Sequence, residues 1–377
     1  MHIKQLNATQ LREFIASQSF ENMPNLPISR IRAISHCQNP RAESADKLLF
    51  LAEEQGQMLG YFGMLPDVIY LNGKAEKVGW MSCLWIDPKT RGRGIAKTLI
   101  ETALTAWEGR MMVTEFTAEA GKLYEKMGIF QDLAVSKGIR LYDLGKWGEI
   151  LLEKKPKLRP FSFFIKSFSA CTKPFFNVFR PKNAENNLVF IPIKTIDAET
   201  NAFISSKNAD NLFRRTEKEL NWLTHFPWIA EKKAFVVSED TDNGRQDDDE
   251  IAKRYHFSAQ SPHFQQVWIQ VRERQTEKMI GCFMLSVREN TVKTPYFFVE
   301  KEHIPSVAQW ILAYMYQQKA CILLTFQPEL QAYFTQKHAL TYYIRPATRH
   351  YWLSKKIEIA ENLPVYIQDG DGDCAFT

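Results

Sequence analysis

The sequence predicts an α+β protein made of two tandem copies of one fold, and three observations carry that reading. One order of elements can be traced twice along the 377 residues: strand, helix, strand pair, strand, helix, strand, helix. Repetition of a whole element order marks a duplicated unit. Lys278-Met279-Ile280-Gly281-Cys282-Phe283 in the second half echoes Gln57-Met58-Leu59-Gly60-Tyr61-Phe62 in the first. The length exceeds one ordinary domain, so two is the natural expectation.

In the first half, residues 2–7 read as a strand and 8–17 as a helix, with Leu11 and Phe14 on one face. Residues 48–53 and 57–70 read as two antiparallel strands joined near Glu54-Gln55-Gly56. A turn at Leu71-Asn72-Gly73-Lys74 leads to a strand over 77–86. A helix over 95–108, a strand over 111–116, a helix over 118–127 and two closing strands within 129–144 follow. In the second half, strands are expected at 188–196, 266–273, 277–287, 296–299 and 320–326, and helices at 211–222, 306–318 and 328–336.

Asp87-Pro88-Lys89-Thr90-Arg91-Gly92-Arg93-Gly94-Ile95-Ala96 lies between an apolar strand and an amphipathic helix. Strand, basic glycine loop and helix start together suit a pyrophosphate. Glycines let backbone N–H groups approach phosphate oxygens, and the helix dipole adds positive potential. Arg91, Arg93 and Lys97 add full charges. The loop lacks the Gly-Lys-Ser/Thr ending of a nucleotide-hydrolase loop and the three spaced glycines of a dinucleotide fold. A plain strand-to-helix turn is the alternative.

Arg91-Gly92-Arg93-Gly94-Ile95-Ala96 matches an Arg/Gln-x-x-Gly-x-Gly/Ala pattern and resembles the acetyl-CoA loop of the GNAT acetyltransferase family. Leu123-Tyr124-Glu125-Lys126-Met127-Gly128-Ile129 resembles the family's Leu-Tyr-Glu-Lys-x-Gly-Phe run, with Ile129 in place of the usual Phe. The resemblance covers roughly residues 45–145. It implies two GNAT-like domains, each a mixed, mostly antiparallel sheet flanked by helices: an acetyltransferase domain at 1–149, a basic and aromatic connector at 150–187, and a degenerate copy at 188–377.

The resemblance also implies a chemistry, direct attack of a neutral amine on the thioester of acetyl-CoA. Arg91, Gly92, Arg93, Gly94, Ile95 and Ala96 would hold the co-substrate, and a backbone N–H near Leu84, Trp85 and Ile86 would stabilise the oxyanion. Tyr124 would protonate the leaving thiolate. Its neighbours Ala120, Leu123 and Met127 make an apolar stripe in which Tyr124 could equally be core. Glu115 and Glu76 are the carboxylates considered as general base, with surface charge as the alternative. His36 and Cys83 are weaker candidates, Cys83 reading as a small buried side chain.

Where the second copy would need a phosphate loop it carries Glu300-Lys301-Glu302-His303-Ile304-Pro305, without glycine, and Phe334 stands where Tyr124 would be. Acyl-CoA is therefore expected at one site per chain, and a fragment ending at Asp143, if it folds, is expected to keep that site but to lose acceptor turnover. In the connector, Phe161, Phe164, Ile165 and Phe168 follow helical spacing among Lys154, Lys155, Lys157, Arg159, Lys166 and Lys173. The stripe is expected to pack between lobes, with contact to a membrane surface or an anionic substrate as the alternative. Residues 238–250 read as a solvated acidic insertion. Asp369, Asp371 and Asp373 read as an acidic turn or, alternatively, as the lining of an acceptor cleft.

Composition sets outer bounds. A net charge of +5 suits anionic small ligands and gives no argument for nucleic acid. The six scattered cysteines lack metal-ligand spacing and read as free thiols, so no metal is expected. No apolar run approaches the roughly 20 residues that span a bilayer, and the start of the chain lacks a signal-peptide layout. A cytoplasmic enzyme acetylating a small-molecule amine, such as an amino sugar, is the expectation. A non-catalytic acyl-CoA-binding or scaffold protein, a protein-lysine acetyltransferase and aminoacyl transfer are the alternatives; oligomeric state is not readable.

Overall fold

The computed structural model describes residues 1–71, 73–180, 187–232, 254–337, 341–359 and 365–376. The insertion at 238–250 and the turn residue Asn72 lie outside them. Along the chain run β1 (His2–Leu6), α1 (Ala8–Ile15), α2 (Gln18–Glu21), α3 (Arg30–Cys37), β2 (Leu49–Glu54), β3 (Gln57–Leu71), β4 (Lys74–Ile86), α4 (Ile95–Ala106), β5 (Met111–Thr114), α5 (Ala118–Met127) and β6 (Phe130–Asp143). There follow α6 (Trp147–Lys154), α7 (Ser162–Val178), β7 (Leu188–Ile193), α8 (Ala198–Lys207), α9 (Glu217–His225), β8 (Ala230–Glu231) and β9 (Gln260–Ser261). The chain continues through β10 (Phe264–Glu273), β11 (Met279–Arg288), β12 (Thr291–Lys293), β13 (Phe297–Val299), α10 (Ile304–Gln317), β14 (Ile322–Thr325), α11 (Pro328–Gln336) and β15 (Tyr342–Ser354).

These elements form two compact units that interleave along the chain. One comprises Met1–Val135, Asn208–Pro262 and Arg349–Thr377; the other Ser136–Lys207 and His263–Thr348. The units therefore do not follow the boundaries 1–149, 150–187 and 188–377. The first unit takes its last strand, the end of β15, from the second half of the sequence, where Thr114 pairs with Tyr351. The second unit takes the end of β6 from the first half, where Tyr142 pairs with Ile322. A fragment ending at Asp143 lacks the strand that pairs with β5 and the segments 208–262 and 349–377 of the first unit.

In the first unit the strands run β1-β2-β3-β4-β5-β15, antiparallel except for the parallel pair β4/β5. Strand alternation sends neighbouring residues to opposite faces. Leu49, Leu51 and Tyr61 join Leu11, Phe14 and Phe20 beneath α1–α3. Phe50, Phe62 and Met64 join Leu99, Ile100 and Ala103 beneath α4. The second unit repeats the plan: β10 and β11 pair antiparallel, β12 and β14 pair parallel, and α10 and α11 pack Ile311, Met315, Leu330 and Phe334 into one core.

Three expected elements differ. The two closing strands of 129–144 are one strand, β6; at Gly138 an added Cβ would stand 2.6 Å from Phe326 and 2.8 Å from the Thr325 carbonyl, so the glycine admits a close neighbour within an extended chain. The helix expected at 211–222 begins only at Glu217. The Leu212 carbonyl accepts from the Tyr70 amide and its amide donates to the Tyr366 carbonyl, and Thr216 with Glu219 then forms a capping box. The connector's phenylalanines, expected to pack, are exposed: Phe163 by 75%, Phe164 by 72% and Phe168 by 64%.

Candidate active site

The ladder between β4 and β5 holds only two pairs, Gly79 with Met111 and Trp80 with Met112, and then stops. Beyond it β4 bulges. Tyr61 pairs with Trp85 and Gly63 with Ser82, so Cys83 and Leu84 oppose one residue, and Cys83 takes a left-handed φ of 55°. A bulge re-aims the strand. Leu84, Trp85 and Ile86 run on from it, half-buried, with the Trp85 ring stacked on Tyr61 and close to His256.

The loop after β4 has the form of an anion cradle. Gly92 and Gly94 take left-handed φ values of 84° and 80°, and no atom lies within 4 Å of where a Cβ would stand on either. Gly94 caps α4 without any side-chain bond, and the first bond into the helix is from the Thr98 amide to the Gly94 carbonyl. The amides of residues 92–97 thus have no hydrogen-bond partner among the described residues. Arg91 is exposed. Arg93 is turned to Glu54 at 2.8 Å, so part of its charge is already answered. The residues fit a phosphate-bearing co-substrate through backbone amides first and side-chain charge second. In the second unit two of the equivalent amides already have acceptors, His303 donating to Glu300 and Ile304 to Lys301, and Pro305 has no N–H.

Tyr124 lies on α5, whose Thr117 and Gly128 caps fix its ends. Its ring packs edge-on against Phe116, Phe130 and Trp352. Burial raises its phenol above the usual tyrosine value, which keeps the proton on the oxygen. No described residue hydrogen-bonds that hydroxyl. The ring is packed in the core, and the hydroxyl keeps its proton.

Glu115 follows β5 with a left-handed φ of 49° and accepts bonds from Arg349 at 2.6 and 2.9 Å. This pairing favours a fixed negative charge over proton uptake. Glu76 belongs to β4 itself rather than to a turn before it. His36 is fully buried beside Arg32 and Trp228; burial and then the Arg32 charge hold it well below the usual histidine range, hence neutral.

The chain's last residues supply what the motifs did not show. Asp369, Asp371 and Asp373 belong to the first unit. Asp371 accepts from Arg215 at 2.8 Å, and Asp369 pairs with Arg349. Asp373 has no cation within 4 Å among the described residues; it accepts from Ser82 Oγ at 3.1 Å. Arg32 donates to Ser82 and, at 3.2 Å, to Tyr255, whose hydroxyl also meets the Cys83 sulfur at 3.2 Å. Asp373 thus bonds β4 at the bulge and feels the charge of Glu115 at the end of β5, which places its carboxyl where the two strands part. Burial and then Glu115 push this carboxyl up to about 6, against the pull of Arg32 and Ser82.

Beneath this lies a buried charge network. Asp67 accepts from Arg215 and the Trp80 indole, at 2.8 and 2.9 Å, and pairs with Arg41. Burial alone would raise its carboxyl, but Arg215 and Arg41 outweigh that and hold it below the usual range. Gly372, with φ of 78°, lies flat on Trp80, where a Cβ would stand 3.1 Å from the ring, and Phe376 stacks on Trp228 at 4.2 Å. The tail is therefore seated by packing as well as by charge. Among isolated arginines in the sequence only this assembly distinguishes Arg32, Arg41, Arg215 and Arg349; the alternating Asp-Gly of the tail was the one local signal.

Residues 45–128 match the Acetyltransferase (GNAT) domain family. No curated protein sequence matches the chain. Among solved structures, a GCN5-related N-acetyltransferase from Anabaena variabilis aligns over 93% of this chain and 72% of its own, at 11% identity and a TM-score of 0.51. A tandem GNAT protein from the clavulanic acid biosynthesis pathway aligns over 95% and 99%, at 12% identity and a TM-score of 0.47. A GCN5-related N-acetyltransferase from Kribbella flavida aligns over 93% and 71%, at 9% identity and 0.49. At such identities the likeness to the Anabaena protein is one of fold.

Proposed function

With residues 45–128 a GNAT acetyltransferase domain, we propose that this protein is an acyl-CoA-dependent N-acyltransferase that moves an acetyl group to a primary amine of a small molecule. The observation that supports it most is the run of unpartnered amides at 92–97 beside the parting of β4 from β5. Those amides would hold the pyrophosphate of the acyl donor, and the backbone at Leu84, Trp85 and Ile86 would face the thioester.

In this reading Asp373 takes a proton from the acceptor ammonium. The neutral nitrogen attacks the thioester carbonyl carbon, a C–N bond forms and the C–S bond breaks. Tyr124 gives its proton to the departing sulfur and regains one through solvent from the nitrogen, which becomes the neutral amide, while Asp373 releases its proton to solvent. Glu115, first considered as the base, serves instead to hold Arg349 and to raise Asp373. Of the three tail aspartates only Asp373 offers its charge to a cationic acceptor, because Asp369 and Asp371 are matched by arginines.

The test is thiol release from acetyl-CoA over a panel of primary amines that includes amino sugars. Turnover on a small amine is expected; binding without turnover on any amine would make the protein an acyl-CoA-binding protein. Calorimetry should find one acetyl-CoA per chain, and Gly94→Asp should abolish it, because a carboxylate on a left-handed backbone would stand in the cradle. Two sites, or unchanged affinity in the variant, would refute the loop assignment. Tyr124→Phe keeps the ring packing and should cut kcat about a hundredfold with little change in acetyl-CoA affinity. Wild-type turnover would return Tyr124 to the core alone.

A further inference from the structure

The second unit carries an apolar face that no described residue of that unit covers. Helix α7 places Phe164, Phe168, Cys171, Phe175 and Val178 at spacings of four, three, four and three, which is one face of a helix. All five are exposed. Phe164 is exposed by 72%, Phe168 by 64%, Phe175 by 58% and Val178 by 75%, and Phe163 extends the arc on one side. Seventeen residues give a rod of about 25 Å. The opposite side of the helix is the packed one: Ser169 is buried against Gly148 of α6, and Thr172 accepts from the Trp147 indole at 3.0 Å. The helix is thus held to its unit by one face and presents the phenylalanines outward. Contiguous exposed apolar surface of this extent marks an interaction site.

Charge selects the occupant. The described stretch 154–180 contains no acidic residue. Lys155, Lys157 and Arg159 stand exposed before the helix, whereas Lys166 and Lys173, about 200° around it from Phe168 and Phe175, lie on the side turned to α6. None of these five pairs with an acid within 4 Å among the described residues. Arg159, Lys166 and Lys173 also line an open cleft of about 870 Å³ against α6, shared with Glu149, Glu153 and Glu289. A symmetric contact between two copies would set this basic border against itself. An anionic bilayer surface answers both features, because phenylalanines enter the headgroup boundary while lysines meet lipid phosphates. No described helix is long and apolar enough to cross a membrane, so the mode is lateral.

We propose that α7 and the basic segment before it dock the protein on the surface of an anionic membrane, through Phe164, Phe168 and Phe175 in the headgroup layer and Lys155, Lys157 and Arg159 against the lipid phosphates. The proposal stands on the second unit alone and does not depend on the acyltransferase reading.

Flotation of the full-length protein with vesicles tests it. Binding is expected to phosphatidylcholine vesicles containing phosphatidylglycerol, and much less to phosphatidylcholine alone. Phe164→Ser with Phe168→Ser and Phe175→Ser should lower the partition coefficient about tenfold or more. Lys155→Gln with Lys157→Gln should lower it on anionic vesicles, at about fivefold per charge, and leave residual binding to neutral vesicles unchanged. Circular dichroism and gel filtration check that the variants fold. No flotation, flotation indifferent to lipid charge, or flotation unaffected by the phenylalanine substitutions would overturn the proposal. So would a dimer that the phenylalanine substitutions dissociate in a protein that ignores vesicles, which would assign the face to a second copy of this chain.

Discussion

Asp373→Asn is expected to lower kcat by about a hundredfold or more while acetyl-CoA affinity holds. The asparagine keeps the shape and the bond from Ser82 but cannot take a proton from the acceptor. The pH profile separates this from a structural effect. A base must be ionised to act, so wild-type turnover should rise with pH and level off above the carboxyl's value of about 6. Burial raises this carboxyl most and Glu115 raises it further, while Arg32, Ser82 and Arg349 lower it. The variant should lose the acidic limb and keep a low, flat rate. A profile in Asp373→Asn with the same limb as the wild type would assign the base elsewhere.

Asp67→Ala is expected to destabilise the first unit by about 3–5 kcal/mol, the usual cost of removing one partner from a buried ion pair. Arg41 and Arg215 are 6% and 5% exposed at their side chains, and both would lose a carboxylate that cannot be replaced by water. The Trp80 indole would lose its acceptor as well. Denaturant unfolding followed by circular dichroism measures the shift. Glu101→Ala, which removes only an exposed partner of Lys97 on α4, should leave the midpoint nearly unchanged. Equal midpoints in the two variants would show that the buried network contributes nothing particular.

The readable parts of the site were those set by local backbone needs. Glycine at 92 and 94 is required by left-handed φ, Thr117 and Gly128 bound α5, and the apolar stripe around Tyr124 packs as its spacing says. Each of these constraints acts within a few residues, so it leaves a mark at a fixed offset. The bulge at Cys83 left no such mark, because nothing in Met81-Ser82-Cys83-Leu84 demands a positive φ. The exposure of the connector's phenylalanines left no mark for another reason: helical spacing reports that a face is apolar, not what covers it. The spacing of Phe164, Phe168 and Phe175 is the same whether the face meets protein, a bilayer or nothing.

By itself the sequence determined the two-copy α+β plan, the loop at 91–96 in one copy, its loss at 300–305 in the other, and the helix that carries Tyr124. Only the tertiary structure decided which strand completes which sheet and what the aspartates of the tail do. Asp373 meets Ser82 across 291 positions of chain, and Arg215 meets Asp67 across 148. Such pairings depend on burial, since a carboxylate and a guanidinium withdrawn from water must find one another wherever the fold brings them. No periodicity or motif records a partner that far away. The interleaving of the units has the same cause: β5 needs a strand along its open edge, and hydrogen bonding accepts one from any point in the chain that the topology can deliver.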